Sequence, residues 1–300
     1  MSRLFLPLFC LIGILTSSSV EAQKWELGVF LGGSNYTGDL THDNTLYLQE
    51  TGGAAGIMAQ YSISPYVAIR SNIMYGRIQG DDENASRSEF TNRNLSFRSD
   101  VFEASLVGQV YLTGYDMSQP LRSRSGSAYI FGGIALFNFD PQAQVGENPP
   151  PELVARGFEE EDWVSLQELG TEGQGQIQVN NATGEGEVED LYALTTFSIP
   201  LGIGYKQSIS RTVSIGFEVG TRITFTDYLD DVSGRYPVIT PNNGYQNLRN
   251  GVVTAYFADR STDNESQTEE FRGSPINDDW YHFAGLTITY TIMPDRCFYF

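Results

Sequence analysis

The stretch Val213-Ser214-Ile215-Gly216-Phe217-Glu218-Val219-Gly220-Thr221-Arg222-Ile223-Thr224-Phe225 decides the fold. Apolar side chains recur at every second position, the signature of a β-strand. One face carries Val213, Ile215, Phe217, Val219, Ile223 and Phe225; the other carries Ser214, Gly216, Glu218, Gly220, Arg222 and Thr224. A strand of a soluble sandwich buries its apolar face and charges the other heavily. Isolated charges among glycines and hydroxyls suit instead a wall with lipid on one side and a packed interior on the other.

The same alternation recurs in seven further segments, running from Trp25 to Leu31, Ala55 to Ile63, Val67 to Tyr75, Phe102 to Leu112, Ala128 to Phe139, Phe197 to Tyr205 and Ala284 to Ile292. The segment from Ala128 is the least regular, because Ile130 and Ile134 are out of phase with Tyr129, Phe131 and Phe137. Segments of about 9 to 14 residues can cross a bilayer at a tilt. Their connections alternate between long stretches (Ser34 to Gly53, Gln79 to Arg98, Asp140 to Tyr192, Asp227 to Trp280) and short or medium ones (Ser64-Pro65, Thr113 to Ser127, Ser208 to Ser210). The expected fold is therefore all-β: an eight-stranded antiparallel transmembrane β-barrel with periplasmic turns and long extracellular loops. Ten strands also fit if Gly175 to Val179 or Val252 to Phe257 forms an extra hairpin.

The chain has 300 residues, 37 acidic against 18 basic, a net charge of −19, and 31 glycines. Such an acidic surface repels phosphate, which excludes nucleic-acid binding through a basic face. The 17 Tyr, 18 Phe and 3 Trp exclude a disordered acidic chain. At the N-terminus, Arg3 precedes the apolar run Leu4 to Leu15, which leads to Val20-Glu21-Ala22. This reads as a signal peptide over residues 1–22, leaving 23–300 as an exported outer-membrane barrel domain. Cys297 is then a lone thiol, without a partner for an internal disulfide.

Sorted along the chain, the charge belongs to two loops. Residues 140–192 hold 13 acidic side chains and one basic one, and residues 227–280 hold 10 and 4. The plain reading is a solvated loop surface. A divalent-cation site is the sharper one, with Asp227, Asp230 and Asp231, or Asp259, Asp263 and Glu265, as oxygen donors, although neither set has the spacing of a calcium loop. The inward charges Glu26, Arg70, Glu103, Lys206, Glu218 and Arg222 number three of each sign. Eight strands enclose a space that side chains just fill, so these charges are expected to form a hydrogen-bonded plug with Gln60, Asn72 and Gln109. Glu218 and Arg222 are about 13 Å apart along one face, so each needs a partner, expected on a neighbouring strand.

Catalytic signals are sparse. His42 and His282 are the histidines of the chain, and His282 at the start of the last strand could serve as a rim general base or stand as an interfacial residue beside an aromatic belt. No nucleophile elbow, metal-ligand spacing or phosphate loop is present. The residues imply no cofactor and favour a non-enzymatic protein.

Several motifs occur in one order: Trp25-Glu26-Leu27-Gly28-Val29-Phe30-Leu31-Gly32-Gly33-Ser34-Asn35-Tyr36 with Gly38-Asp39-Leu40, Leu166 to Gly175, Ser198 to Lys206, Phe225-Thr226-Asp227-Tyr228-Leu229-Asp230-Asp231-Val232-Ser233, Ala258-Asp259-Arg260-Ser261 and Asn277-Asp278-Asp279-Trp280-Tyr281. This set resembles the DUF6089 outer-membrane barrels of Bacteroidota, a family that includes the type IX secretion component PorG. Glu168 stands where the family pattern has proline, and residues 140–164 are longer and more acidic than usual. The resemblance implies a structural part of a secretion machine, anchoring a periplasmic ring of PorK and PorN at the outer membrane. The basic patch Leu121-Arg122-Ser123-Arg124 makes Arg122 and Arg124 candidate contacts for that ring or for inner-leaflet lipid headgroups. A generic barrel with surface-binding loops and a barrel hydrolase using His282 are the other readings.

Overall fold

The computed structural model describes residues 25–41, 48–85, 87–115, 126–175, 177–179, 186–188, 190–236, 251–261 and 271–292. The expected signal segment over residues 1–22, His42, Arg122, Arg124, Asp263, Glu265 and Cys297 lie outside them. Twelve strands follow in chain order: β1 (Trp25–Thr37), β2 (Gly52–Ser62), β3 (Val67–Asp81), β4 (Ser96–Tyr111), β5 (Ser127–Asn138), β6 (Pro141–Gln144), β7 (Trp163–Ser165), β8 (Ile177–Val179), β9 (Gly186–Val188), β10 (Thr195–Ser208), β11 (Val213–Thr224) and β12 (Trp280–Thr291).

Eight of them close a barrel in the order β3-β2-β1-β12-β11-β10-β5-β4, with β3 pairing β4 to complete the ring. Each wall pairing is antiparallel; Val29, for example, faces Ile57 on one side and Ile288 on the other. The wall has eight strands, not ten. Residues 177–179 do enter a hairpin, but β8 and β9 form a separate two-stranded sheet. Val252–Ala258 is a helix. β6 and β7 extend the sheet outward from the loop end of β4.

Two of the tight turns use the same local chemistry. The Ser64 hydroxyl accepts from the amides of Tyr66 and Val67, and the Ser210 hydroxyl accepts from those of Thr212 and Val213. A serine that bonds the backbone two and three residues on mimics a backbone turn and fixes the register of both hairpins.

The outer face is apolar: Leu31, Ile57, Ile73, Ile134, Ile203 and Leu286 are all more than half exposed. In water this would be a severe exposed hydrophobic surface, whereas in a bilayer it is the solvated state. Aromatic residues mark its borders, with Trp25, Tyr61, Tyr66, Tyr205 and Tyr290 at the turn end and Phe102, Phe225 and Trp280 at the loop end. These are the girdles of an outer-membrane-type barrel.

The irregular β5 has a specific cause. Its Ile130, Ile134 and Leu136 face outward, and Tyr129, Phe131 and Phe137 point into the lumen. Glycines opposite make the room: a Cβ at Gly202 would stand 2.3 Å from the Phe131 ring, and one at Gly204 would stand 2.4 Å from the Tyr129 ring. Glycine and aromatic content are thus two halves of one interior packing scheme.

Candidate functional site: a sealed lumen and its folded cap

The six inward charges are all buried, and the structure brings them together as three pairs. Arg70 on β3 holds Glu218 on β11 through two hydrogen bonds of 2.6 and 2.8 Å. Arg222 on β11 holds Glu103 on β4 through Nε at 2.8 Å. Lys206 on β10 bonds Glu26 on β1. None of these partners sits on an adjacent strand, contrary to the expectation for Glu218 and Arg222. In a barrel this narrow, long side chains reach the opposite wall before they can bend back to a neighbour.

Each cation also lies over an aromatic ring: Arg70 is 5.3 Å from the centroid of Phe131, Lys206 is 4.8 Å from that of Tyr115, and Arg222 is 4.5 Å from that of Phe283. Tyrosine hydroxyls complete two of the carboxylates, Tyr129 donating to Glu218 at 2.7 Å and Tyr281 to Glu103 at 2.9 Å. The Tyr111 hydroxyl lies 3.3 Å from the side-chain oxygens of both Gln60 and Gln109 and shares its one proton between them, and Asn72 donates to Ser105. The rings of this arrangement were not legible from the charge pattern. The signal for two of them, Tyr129 and Phe131, was the Ala128 segment, whose aromatic side chains lie on the face opposite to Ile130 and Ile134.

Toward the loop end the polar layer gives way to apolar packing. Phe30, Met58, Met74, Phe137 and Phe283 form one apolar cluster with Tyr36, Leu40, Phe97, Phe139, Leu229 and Val232, and a cavity of about 690 Å³ lies beside it among Met58, Asn72, Ser105 and Ala135. The last group belongs to the upper strands and loops, which fold into a cap. A second apolar cluster is built by loop residues alone: Ala143, Val145, Leu153, Val164, Leu166 and Leu169 against Val253 and Phe257.

Two arginines, Arg272 buried and Arg93 half-buried, tie the cap together. Arg272, 2% exposed, donates to Glu172, to the backbone carbonyl of Asp231 and to that of Ala258. Arg93 makes a bidentate pair with Asp82 and also donates to the carbonyls of Arg272 and Asp39. Glu172 in turn accepts from the amides of Ser233 and Gly234, both at 2.9 Å. These loops are therefore not a solvated fringe, since part of their acidity is folded inward.

Two of the proposed cation ligands, Asp230 and Asp231, are engaged within this network. Asp230 accepts from Tyr36 and from the amide of Val232, and Asp231 accepts from Thr171 and Tyr192 beside Arg272. Asp227 has both carboxylate oxygens out of solvent, with the Ser233 side chain beside them opposing the effect of burial. Among the described residues no three acidic, histidine or cysteine side chains converge as a metal site. Burial pushes Asp227 up to about 7 and Asp231 up to about 6, with Arg272 opposing the second shift. Asp230 and Asp279 are raised well above the ordinary carboxylate range, first by burial and then by neighbouring carboxylates.

His282 faces outward from β12 beside the girdle, its two ring nitrogens within 3.0 Å of the hydroxyls of Thr37 and Thr221 on the flanking strands. Asp279, the nearest acid in sequence, turns inward to Tyr36. The structure does not assemble these groups into a base, orienter and nucleophile.

A family model described as a domain of unknown function, DUF6089, matches residues 2–149 and 178–256. The chain belongs to the DUF6089 family. No curated protein sequence matches this DUF6089 member. Among solved structures it is similar to Neisserial surface protein A, with a TM-score of 0.38 and 7% identity over 89% of this chain and 97% of that one. It is also similar to Ail of Yersinia pestis in complex with the heparin analogue sucrose octasulfate, with a TM-score of 0.36 and 7% identity over 89% and 96%. OprG from Pseudomonas aeruginosa gives a TM-score of 0.35 and 9% identity over 89% and 96%.

Proposed function

We propose that this DUF6089 protein is a non-conducting, non-enzymatic anchor in the outer membrane, with its turns in the periplasm and its cap outside. The observation that carries this reading is an interior crossed by ion pairs and closed toward the cap. Three ion pairs cross the lumen from wall to wall and an apolar layer closes it toward the cap, leaving beside them a cavity of about 690 Å³ lined by Met58, Asn72, Ser105 and Ala135. A plugged barrel gives a partner a fixed position in the membrane without leaking solute. In the finer form of the reading, that partner is a periplasmic ring of the PorK and PorN type, docked on the turn end within a type IX secretion machine.

The test is crosslinking in cells followed by capture of the tagged barrel, with secretion scored in a deletion strain. Recovery of the ring lipoprotein and loss of secretion are expected. Capture without it, alongside intact secretion, would overturn the secretion role. Planar-bilayer recording tests the coarser claim, with no stepwise conductance expected from the purified barrel.

The cap favours a second reading, a barrel that presents a binding surface. Loops that hold their own apolar cluster can display residues in fixed positions. Binding of labelled protein to envelope or host-surface components, lost when residues 143–169 are replaced by a short linker, would separate this role from anchoring.

A further inference from the structure

Where the cap meets the barrel mouth, two carboxyls from different segments converge on one phenol. The Tyr36 hydroxyl lies 2.5 Å from Asp230 Oδ2 and 3.0 Å from Asp279 Oδ1. Tyr36 ends β1, Asp230 belongs to the loop after β11, and Asp279 immediately precedes β12. The remaining oxygens are already engaged: Asp230 Oδ1 accepts from the Val232 amide at 2.9 Å, and Asp279 Oδ2 accepts from the Leu229 amide at 2.9 Å.

The donors do not suffice. A phenol has one proton to give and an ionised carboxylate has none, so one of the two contacts with Tyr36 lacks a hydrogen when both aspartates are ionised. Both contacts become hydrogen bonds only when Asp230 or Asp279 carries a proton on the oxygen that faces the phenol. Two backbone amides hold the other oxygens, which leaves that proton no alternative place within the junction.

The surroundings favour retaining it. Asp230 is 1% exposed and Asp279 is 0% exposed, and among the described residues neither has a lysine or arginine within ion-pair distance. Two further acids face the pair, Asp39 from the turn after β1 and Asp227 from the loop after β11, and both oppose its ionisation. Asp278 and Glu172 act on Asp227, and Asp231 lies next in the chain. The nearby cations are committed elsewhere, Arg93 to Asp82 and Arg272 to Glu172 and Asp231. The raised carboxyls described above agree with this picture, which rests on the donor count and the charge balance of the interface.

We propose that Asp230, Tyr36 and Asp279 form a proton-held latch that keeps the cap closed on the barrel mouth. While the extra proton is retained, the loop segments before β12 and after β11 are bonded to β1. Once it is lost, two adjacent buried anions share a single donor and the cap loosens. Through the latch alone the closed state binds one proton more than the open state across neutral pH, so the latch makes a rise in pH favour opening by about tenfold per unit, over and above any contribution from Asp227 and Asp231. This inference concerns the cap alone and is independent of any periplasmic partner.

Hydrogen exchange of the full-length protein in lipid nanodiscs between pH 5 and 8 tests it, read at the amides of Leu229 and Val232, which bond the latch carboxyls directly. After correction for intrinsic exchange, their protection should fall about tenfold per pH unit, while amides in the middle of β1 and β12 stay level. Asp230→Asn and Asp279→Asn each supply a neutral side chain with its own N–H donor, so each should keep the cap closed and remove the excess pH dependence. Protection at Leu229 and Val232 that follows the barrel amides in the wild type, or an excess slope undiminished in both Asn variants, overturns the latch. Protection that collapses on adding EDTA at constant pH also overturns it, by assigning the junction to a metal ion instead of a proton.

Discussion

Replacing Glu218 by alanine tests the ion-paired plug at its centre. The substitution removes the acceptor of both Arg70 hydrogen bonds and of the Tyr129 hydroxyl. Arg70 is 3% exposed and cannot reach water without rearranging the lumen. Nor is a substitute anion at hand, because Glu103 is held by Arg222 and Glu26 by Lys206. Arg70 Nε already lacks a partner, so the change leaves a guanidinium almost wholly unsatisfied. Removing one member of a buried pair costs about 3–5 kcal/mol, whereas replacing both by apolar groups of similar volume is often neutral or stabilising. Glu218→Ala should therefore destabilise the barrel by about 3–5 kcal/mol. The double variant Arg70→Met/Glu218→Leu, which still strands the Tyr129 hydroxyl, should recover most of that loss. Reversible urea unfolding in lipid vesicles, followed by tryptophan fluorescence and by the mobility shift of folded barrel on unheated gels, measures both. A loss below about 1 kcal/mol in the single variant, or an equal loss in single and double variants, would refute the view that uncompensated charge dominates.

Three further outcomes follow from other parts of the structure. Leu286→Arg, on the outer face midway along β12, should cost about 2–4 kcal/mol in vesicles, with a smaller loss for the same change at Tyr290 near the turn end; equal losses would count against the assigned membrane span. Gly204→Val would press into the Tyr129 ring and should destabilise by about 1–3 kcal/mol while freeing that ring, visible as a shift in tyrosine fluorescence. Arg272→Ala strands Glu172 and Asp231 and should deprotect the amides of Ser233 and Gly234 to hydrogen exchange, while the gel mobility shift of the barrel is retained.

The wall was legible because lipid and lumen impose opposite demands on alternate residues, so each strand announced itself by its two faces. Strand count and turn positions followed from the same rule and from the spacing of connections. The partners of the inward charges were not legible. Alternation places a residue on a face but does not say which residue across a narrow lumen it will meet, and Glu218 finds Arg70 over a sequence separation of 148. The cap was least legible of all. Its acidic loops carry no regular period, and their order depends on Arg93 and Arg272, single basic residues whose importance lies in being buried among carboxyls. The Val252 to Phe257 stretch illustrates the limit: a short apolar run fits a strand or a helix, and it became a helix because its Val253 and Phe257, four residues apart, pack on the loop cluster.

The two apolar clusters divide the cap into parts that should respond differently to damage. Leu229 and Val232 belong to the same core as the lumen residues Phe30, Met74 and Phe283, so the inner cap is a continuation of the barrel interior. Leu153 and Phe257 belong to a cluster drawn wholly from loops, with no lumen residue in it. Truncating a fully buried leucine costs about 2–5 kcal/mol in either place, but the loss must appear where the contacts are. Leu229→Ala should lower the stability of the whole barrel, because its cavity opens against residues that close the lumen. Leu153→Ala should loosen residues 143–169 and 252–258 while leaving the unfolding midpoint of the barrel unchanged within about 0.5 kcal/mol, the range in which distant sites add independently. Hydrogen exchange resolves the two regions in one experiment. If Leu153→Ala destabilised the wall as much as Leu229→Ala does, the outer cap would have to be part of the barrel's cooperative unit, and the loop cluster could not act as a separately folded surface.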